Sequence, residues 1–331
     1  MNVIYANNVP QAYTEAIIKL RIWGEGEESR NGPVITSQDS VLLQIQRPTE
    51  RVLFDKVRNA NPFFHVMEWV WMLSGSNDVK WIEQFNKGFR NFADYGTDIL
   101  HGAYGHRWIK HFGRNQIQAA GGMLRADPTT RRAVISMWDP RVDLSPHADL
   151  PCNTSIMFRV VQGQLDMTVI NRSNDLIWGM LGANAVHMTY LHELVSFISG
   201  IPMGMYKVFT NNLHIYKNMP NFDSIWETRV AHDPYKNIKP AIEPYPLLRN
   251  EESYADLVQD CVELIDVDIE NEPALEFRTF WAANVAWPMR KAYYERLLGN
   301  SGSDWISDIQ ATDWRLACQN YVAIRENSGS K

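Results

Sequence analysis

The sequence predicts an α+β protein, a mixed sheet flanked by helices and followed by a helical C-terminal extension. Three observations lead there. β-branched and aromatic runs bounded by Gly and Pro signals alternate with apolar segments at helical spacing over the first part of the chain. A proline-rich stretch between Asn237 and Pro246 then interrupts the pattern. Beyond it the apolar spacing is helical throughout. The expected organisation is one α+β domain over 1–245 and a helical appendage over 246–331.

Taken in order, Tyr13–Trp23 reads as a helix, and Gly24–Pro33 as a polar, Gly-rich loop. Val41–Gln46 alternates like a strand. Phe63–Leu73 is an apolar, aromatic helix with Pro62 at its start and Gly75 just past its end. Ala133–Trp138 reads as a strand. Thr154–Val161 and Leu165–Ile170 read as a hairpin turning through Gln162–Gln164. Asn184–Ile198 is a long helix ending at Gly200, and Met203–Thr210 another strand. Glu252–Ile265, Phe277–Leu297 (kinked at Pro288) and Asp304–Arg325 read as helices, and Glu326–Lys331 as a frayed polar tail.

The 331 residues are 45% hydrophobic and 21% charged, with a net charge of -6, so a broad nucleic-acid-binding face is not expected. A local basic pocket remains open. Cys152, Cys261 and Cys318 include no CxxC pair, so neither a zinc site nor a disulfide framework is expected, and no residue is assigned to a metal. No signal-peptide pattern opens the chain and no apolar run is long enough to span a membrane, so a cytoplasmic protein is expected.

Cys152 follows Pro151 at the entry to the hairpin and Arg172 leaves its far end, so the turn can bring thiol and guanidinium together and favour the thiolate. An inert core cysteine is the competing reading. Arg131 and Arg132 are either a solvated pair or a phosphate clamp, with Arg30 as a possible third contact. His214 and Tyr216 alternate after a strand and can face one pocket, or simply pack. Glu68 lies inside the apolar helix, where an unpartnered carboxylate is costly; such a site raises its pKa and suits acid/base work.

These residues together resemble the thymidylate synthase and pyrimidine-nucleotide hydroxymethylase superfamily. The matching pieces are Arg30; Glu68 in His65-x-x-Glu68-Trp69-x-Trp71-x-Leu73-x-Gly75; and Tyr104-Gly105-His106-Arg107-Trp108. They continue through Asp127-Pro128-x-x-Arg131-Arg132, Pro151-Cys152, Arg172-Ser173-Asn174-Asp175 with Gly179, and His214-x-Tyr216. The resemblance spans roughly residues 10 to 225 in the family's order and implies a thymidylate-synthase-like fold. It implies that Cys152 adds to C6 of a pyrimidine deoxynucleoside monophosphate, making C5 a carbon nucleophile towards the one-carbon unit of 5,10-methylenetetrahydrofolate. Glu68 would organise water and protons, and Tyr104 help remove the C5 proton. Arg30, Arg172 and Ser173 would hold the phosphate together with Arg131 and Arg132, donated across a homodimer interface. His214 and Tyr216 would bind the sugar, and Asp175, near Gly179, the folate.

Several positions depart from a methylating synthase. Asn153 stands where histidine usually follows the cysteine, Phe89–Asp94 replaces a Trp-rich segment, and the chain runs into an unfamiliar helical appendage rather than a short apolar tail. Asn174 is closer to the hydroxymethylases. The base reader falls on Ala183 or, with a one-residue shift, on Asn184, whose amide can both donate to O4 and accept from N3-H of uracil; His187 is a further candidate contact. The resemblance therefore implies hydroxymethylation of dUMP, an activity suited to a virus working in its host's cytoplasm. Thymidylate synthesis, a dCMP substrate and a non-catalytic nucleotide- or RNA-binding protein are the alternatives.

Overall fold

The computed structural model describes residues 1–237, 241–270 and 275–329. The chain divides into two units, one made of Met1–Ala60, Ala120–Ile135 and Cys152–Ile242, the other of Asn61–Ala119, Ser136–Pro151 and the residues from Glu243 onward.

The first unit holds the strands, save the last residue of β5: β1 (Asn2–Ala6), β2 (Gly24–Ser29), β3 (Gly32–Ser37), β4 (Val41–Ile45), β5 (Val134–Ser136), β6 (Asn153–Val161), β7 (Gln164–Asn171), β8 (Asn174–Asp175), β9 (Met203–Thr210) and β10 (Leu213–Tyr216). They form a six-stranded mixed sheet in the order β1-β4-β9-β7-β6-β5 and a four-stranded sheet in the order β2-β3-β10-β8. The α+β class stands. The hairpin β6–β7 forms as its alternation predicts; Gln162 and Gly163 both take positive φ, 51° and 78°, the conformation a two-residue turn of this twist requires.

The expected loop over 24–33 is instead the hairpin β2–β3, paired from Gly24↔Ser37 to Ser29↔Gly32. β2 reads Gly-Glu-Gly-Glu-Glu-Ser and is almost wholly exposed, so burial leaves no hydrophobic period in its sequence; its strand character comes from pairing with β3. Helix Val9–Trp23 starts earlier than its apolar stripe because the Asn8 side chain caps it, accepting from Gln11 N, and Pro10 fits the first turn.

In the second unit, helix Pro62–Leu73 buries nearly every side chain. A helix apolar on all faces needs cover on all faces. Helices Tyr254–Asp266, Trp287–Leu297 and Thr312–Gly329 supply it; the Phe63 ring lies 5.7 Å from Tyr293 and 6.0 Å from Tyr321. The residues after the expected boundary near 245 thus complete one body with 61–119 and 136–151. Residues 238–240, within the proline-rich stretch, and 330–331, in the polar tail, lie outside the described residues. The single helix expected over 304–325 is broken into Ser303–Asp308 and Thr312–Gly329: Gln310 leaves the helical path to bond Asn284 through both its backbone and its side chain. Before Pro288 the helix widens over Ala282–Ala286, because proline has no N–H to offer the preceding turn.

Gly105 explains part of the Tyr-Gly-His motif. A Cβ there would sit 1.8 Å from the Met72 carbonyl oxygen, at the end of the apolar helix. Gly105→Ala is expected to destabilise the chain by about 3 kcal/mol or more, because backbone must move to admit the methyl group. Urea unfolding of the variant checks this.

Candidate functional site

Register places the proposed nucleophile. β6 and β7 pair with Asn153 opposite Asn171, so Cys152 and Arg172 face each other just beyond the ends of the two strands. Arg172 N donates to the Cys152 carbonyl (2.9 Å), and Arg172 Nη2 lies 3.8 Å from Cys152 Sγ. A guanidinium at that distance favours the thiolate. Cys152 is half-buried, whereas Cys261 and Cys318 are fully buried and their thiols are pushed well above the usual range by desolvation. Of the three, Cys152 is the most accessible to solvent.

A cleft of about 180 Å³ opens on one face of the four-stranded sheet. Thr36 and Val34 on β3 pair with His214 and Tyr216 on β10, so the period-two alternation sends all four to the cleft. Arg30 and Asn31, at the tip of β2–β3, and Ser173, next to Arg172, line its rim. Asn212 ties the floor together: its Oδ1 accepts from Ser173 Oγ (3.1 Å) and from His214 Nδ1 (2.8 Å). That bond puts the imidazole proton on Nδ1 and leaves Nε2 as an acceptor. Burial lowers the His214 pKa, with a bond to the Asn212 backbone opposing, and so disfavours the charged ring. Tyr216 OH accepts from Asn31 Nδ2 (3.4 Å).

Asp175 caps the wide-turned segment Leu176–Ala183 through Oδ2, which accepts from the Trp178 and Gly179 amides. Burial lifts its pKa to about 6 against those bonds, a further amide bond from Ile177 and the charge of Arg58. Its Oδ1 is buried without a hydrogen-bond partner. The Arg58 guanidinium stands 4.3 Å over the half-exposed Trp178 ring. Gly179 has no side chain where one would meet Asn174 Oδ1 at 2.9 Å and Asn184 Nδ2 at 3.6 Å, so both amides flank its bare backbone. Asn184, half-buried, opens helix Asn184–Ser199, with half-buried Ala183 just before it and His187 buried inside it. Asn153 is also buried; its Nδ2 donates to Ile170 O (3.1 Å) and Asn171 Oδ1 (3.3 Å), across the irregular register that follows it.

Arg131 and Arg132 are exposed between helix Gln116–Ala126 and β5, and neither lines the cleft. They precede β5, as expected from the sequence.

The second unit carries Glu68 and Tyr104. Burial raises the Glu68 carboxyl to about 8, and the charge of Asp149 adds to it. Tyr104 is half-buried and begins the short helix Tyr104–His106; its ring lies 6.5 Å from Trp108. Sequence reasoning missed Asn212, Arg58 and Asp149. The Asn211–Asn212 turn directly before the His-x-Tyr step was a usable signal. Arg58 had none, since Trp178 and Asp175 reach it from far along the chain.

The thymidylate synthase family model matches residues 12–271. The chain belongs to that family. Among relatives of this thymidylate synthase family member, one from Pseudomonas phage M6, named deoxyuridylate hydroxymethyltransferase, is 38% identical and aligned over 98% of this chain and 95% of its own length. Another of that name, from Bacillus phage SP01, is 35% identical over 53% of this chain and 49% of its own. The crystal structure of thymidylate synthase from T4 phage shares the fold, with a TM-score of 0.53 at 24% identity, over 62% of this chain and 76% of that one. Among the described residues, no helix is long and apolar enough to cross a membrane.

Proposed function

We propose that this chain is a deoxyuridylate hydroxymethyltransferase, converting dUMP to 5-hydroxymethyl-dUMP with 5,10-methylenetetrahydrofolate as co-substrate. The Cys152–Arg172 pair carries the reading, with Ser173 taking the next residue into the sugar-sized cleft. The name of the M6 relative supports the product over the methylated alternative. The enzyme would work in the cytoplasm of the cell that makes it.

In this reading the Cys152 thiolate adds to C6, and the electron pair moves to C5 and O4. C5 then attacks carbon at the oxidation level of formaldehyde, which the folate co-substrate supplies. Loss of the C5 proton, with Tyr104 assisting, and departure of the folate amine leave a methylene group on C5. Water adds to that carbon, and the ring expels the thiolate. No net oxidation occurs, so tetrahydrofolate is released. Glu68, with a pKa near neutrality, is suited to hold and return protons in these steps. Arg30 and Arg172 with Ser173 would hold the phosphate, and neutral His214 with Tyr216 the sugar hydroxyl. Arg131 and Arg132, exposed in one chain, would complete the phosphate site of the partner in a homodimer. Asn184 would read uracil. The unpartnered Asp175 Oδ1 fits a pterin N–H, and the Trp178 face suits a flat ring beside it.

Incubation with dUMP and methylenetetrahydrofolate, followed by mass spectrometry, tests the reading. The expected product is heavier than dUMP by one formaldehyde unit, with no dihydrofolate absorbance. A product heavier by a methylene unit, with dihydrofolate formed, makes the chain a thymidylate synthase.

A further inference from the structure

The second unit brings together a set of ligating groups that the reaction above does not use. Asp94, His101 and His147 come from three separate irregular segments, yet each offers a ligating atom within 4.8 Å of the others. The two imidazoles stack at 3.6 Å with their planes 6° apart. His147 Nδ1 faces both Asp94 oxygens, at 3.0 and 3.2 Å.

We propose that Asp94, His101 and His147 bind one divalent cation of the zinc class. Two imidazoles and one carboxylate form a donor set of intermediate softness, which suits zinc and its neighbours better than magnesium or calcium. This departs from the sequence expectation of no zinc site, which rested on the lack of CxxC pairs and so on cysteine ligands alone.

The surroundings are those of a built site. His101 Nε2 is 2.7 Å from Asp143 Oδ1, an arrangement in which a ligating histidine donates its other ring N–H to a carboxylate and is held in orientation by it. Asp143 is itself fixed by two bonds from the fully buried Arg107, each 2.7 Å, and by the Asp139 amide. The His101, His147 and Asp94 side chains keep 13%, 28% and 26% of their exposure, so an ion can reach them from solution. Ligand atoms around a tetrahedral ion with bonds of ~2.1 Å stand about 3.4 Å apart. Occupation therefore draws the three segments together by roughly an ångström and fans the stacked rings, leaving a coordination position for water. His101 lies just before Tyr104 in the sequence and His147 just before Cys152, so the ion would tie down both segments that lead to reacting residues.

The full-length chain, freed of metal by chelation and dialysis, is titrated with Co2+ and with Zn2+. One equivalent is expected to bind, with the visible d–d bands of a four- or five-coordinate cobalt centre. His147→Ala and Asp94→Asn should each weaken binding at least tenfold, whereas His232→Ala, at an exposed position elsewhere, should not. Thermal melting and circular dichroism establish that the variants are folded, and the near-isosteric Asp94→Asn decides the matter should His147→Ala unfold. Binding far below one equivalent, or binding indifferent to both substitutions, overturns the proposal.

Discussion

A Cys152→Ser chain should still bind dUMP and release essentially no tritium from C5. The cleft, Arg30 and Arg172 are untouched by the change, so nucleotide affinity is expected to stay within a few-fold. Turnover should fall by about 10⁴-fold or more, because a serine hydroxyl beside a guanidinium remains protonated where a thiol ionises. Tritium release from [5-³H]dUMP isolates the step: it reports activation of C5 and is blind to what later happens to the one-carbon unit. Release at anything near the parent rate would remove Cys152 from the mechanism.

Glu68→Gln should make the protein more stable and less active at once. The folded carboxyl is pushed up to about 8, from an ordinary 4.5, with burial as the main cause and Asp149 the lesser. Between those two values the folded chain holds a proton that the unfolded chain releases, so stability falls as pH rises through the window. The amide has no such titration. The variant is expected to gain about 1–3 kcal/mol over the parent at pH 8, to lose that advantage towards pH 4.5, and to lose roughly 10²- to 10⁴-fold in turnover. Urea unfolding at several pH values, beside initial rates, measures both. Parallel stability–pH profiles for the two proteins would show that Glu68 is not a high-pKa group.

Much of this was legible before the structure, for reasons that can be located. The β6–β7 hairpin is half-buried, so its alternation survives in sequence, and with it the facing of Cys152 and Arg172. The His214–Tyr216 step was readable because a strand's period of two fixes which side chains share a face. β2 was not, because an exposed strand carries no hydrophobic period. The break at Gln310 was hidden because its cause is a bond to Asn284, a partner in another helix. Asp175 was singled out by its motif, but its raised pKa depends on burial, and Arg58 was brought beside it and Trp178 only by tertiary packing.

The covering of helix Pro62–Leu73 also has a temporal side. Its apolar residues leave the ribosome well before Tyr293 and Tyr321, which lie against Phe63 but follow it by more than two hundred residues. The long stretch between must be made before that helix can be sealed from water. Until then, the nascent protein exposes a sticky aromatic rod, the kind of surface that chaperones hold. In a cell making many copies at once, the supply of active enzyme would be paced by the translation of those distant helices.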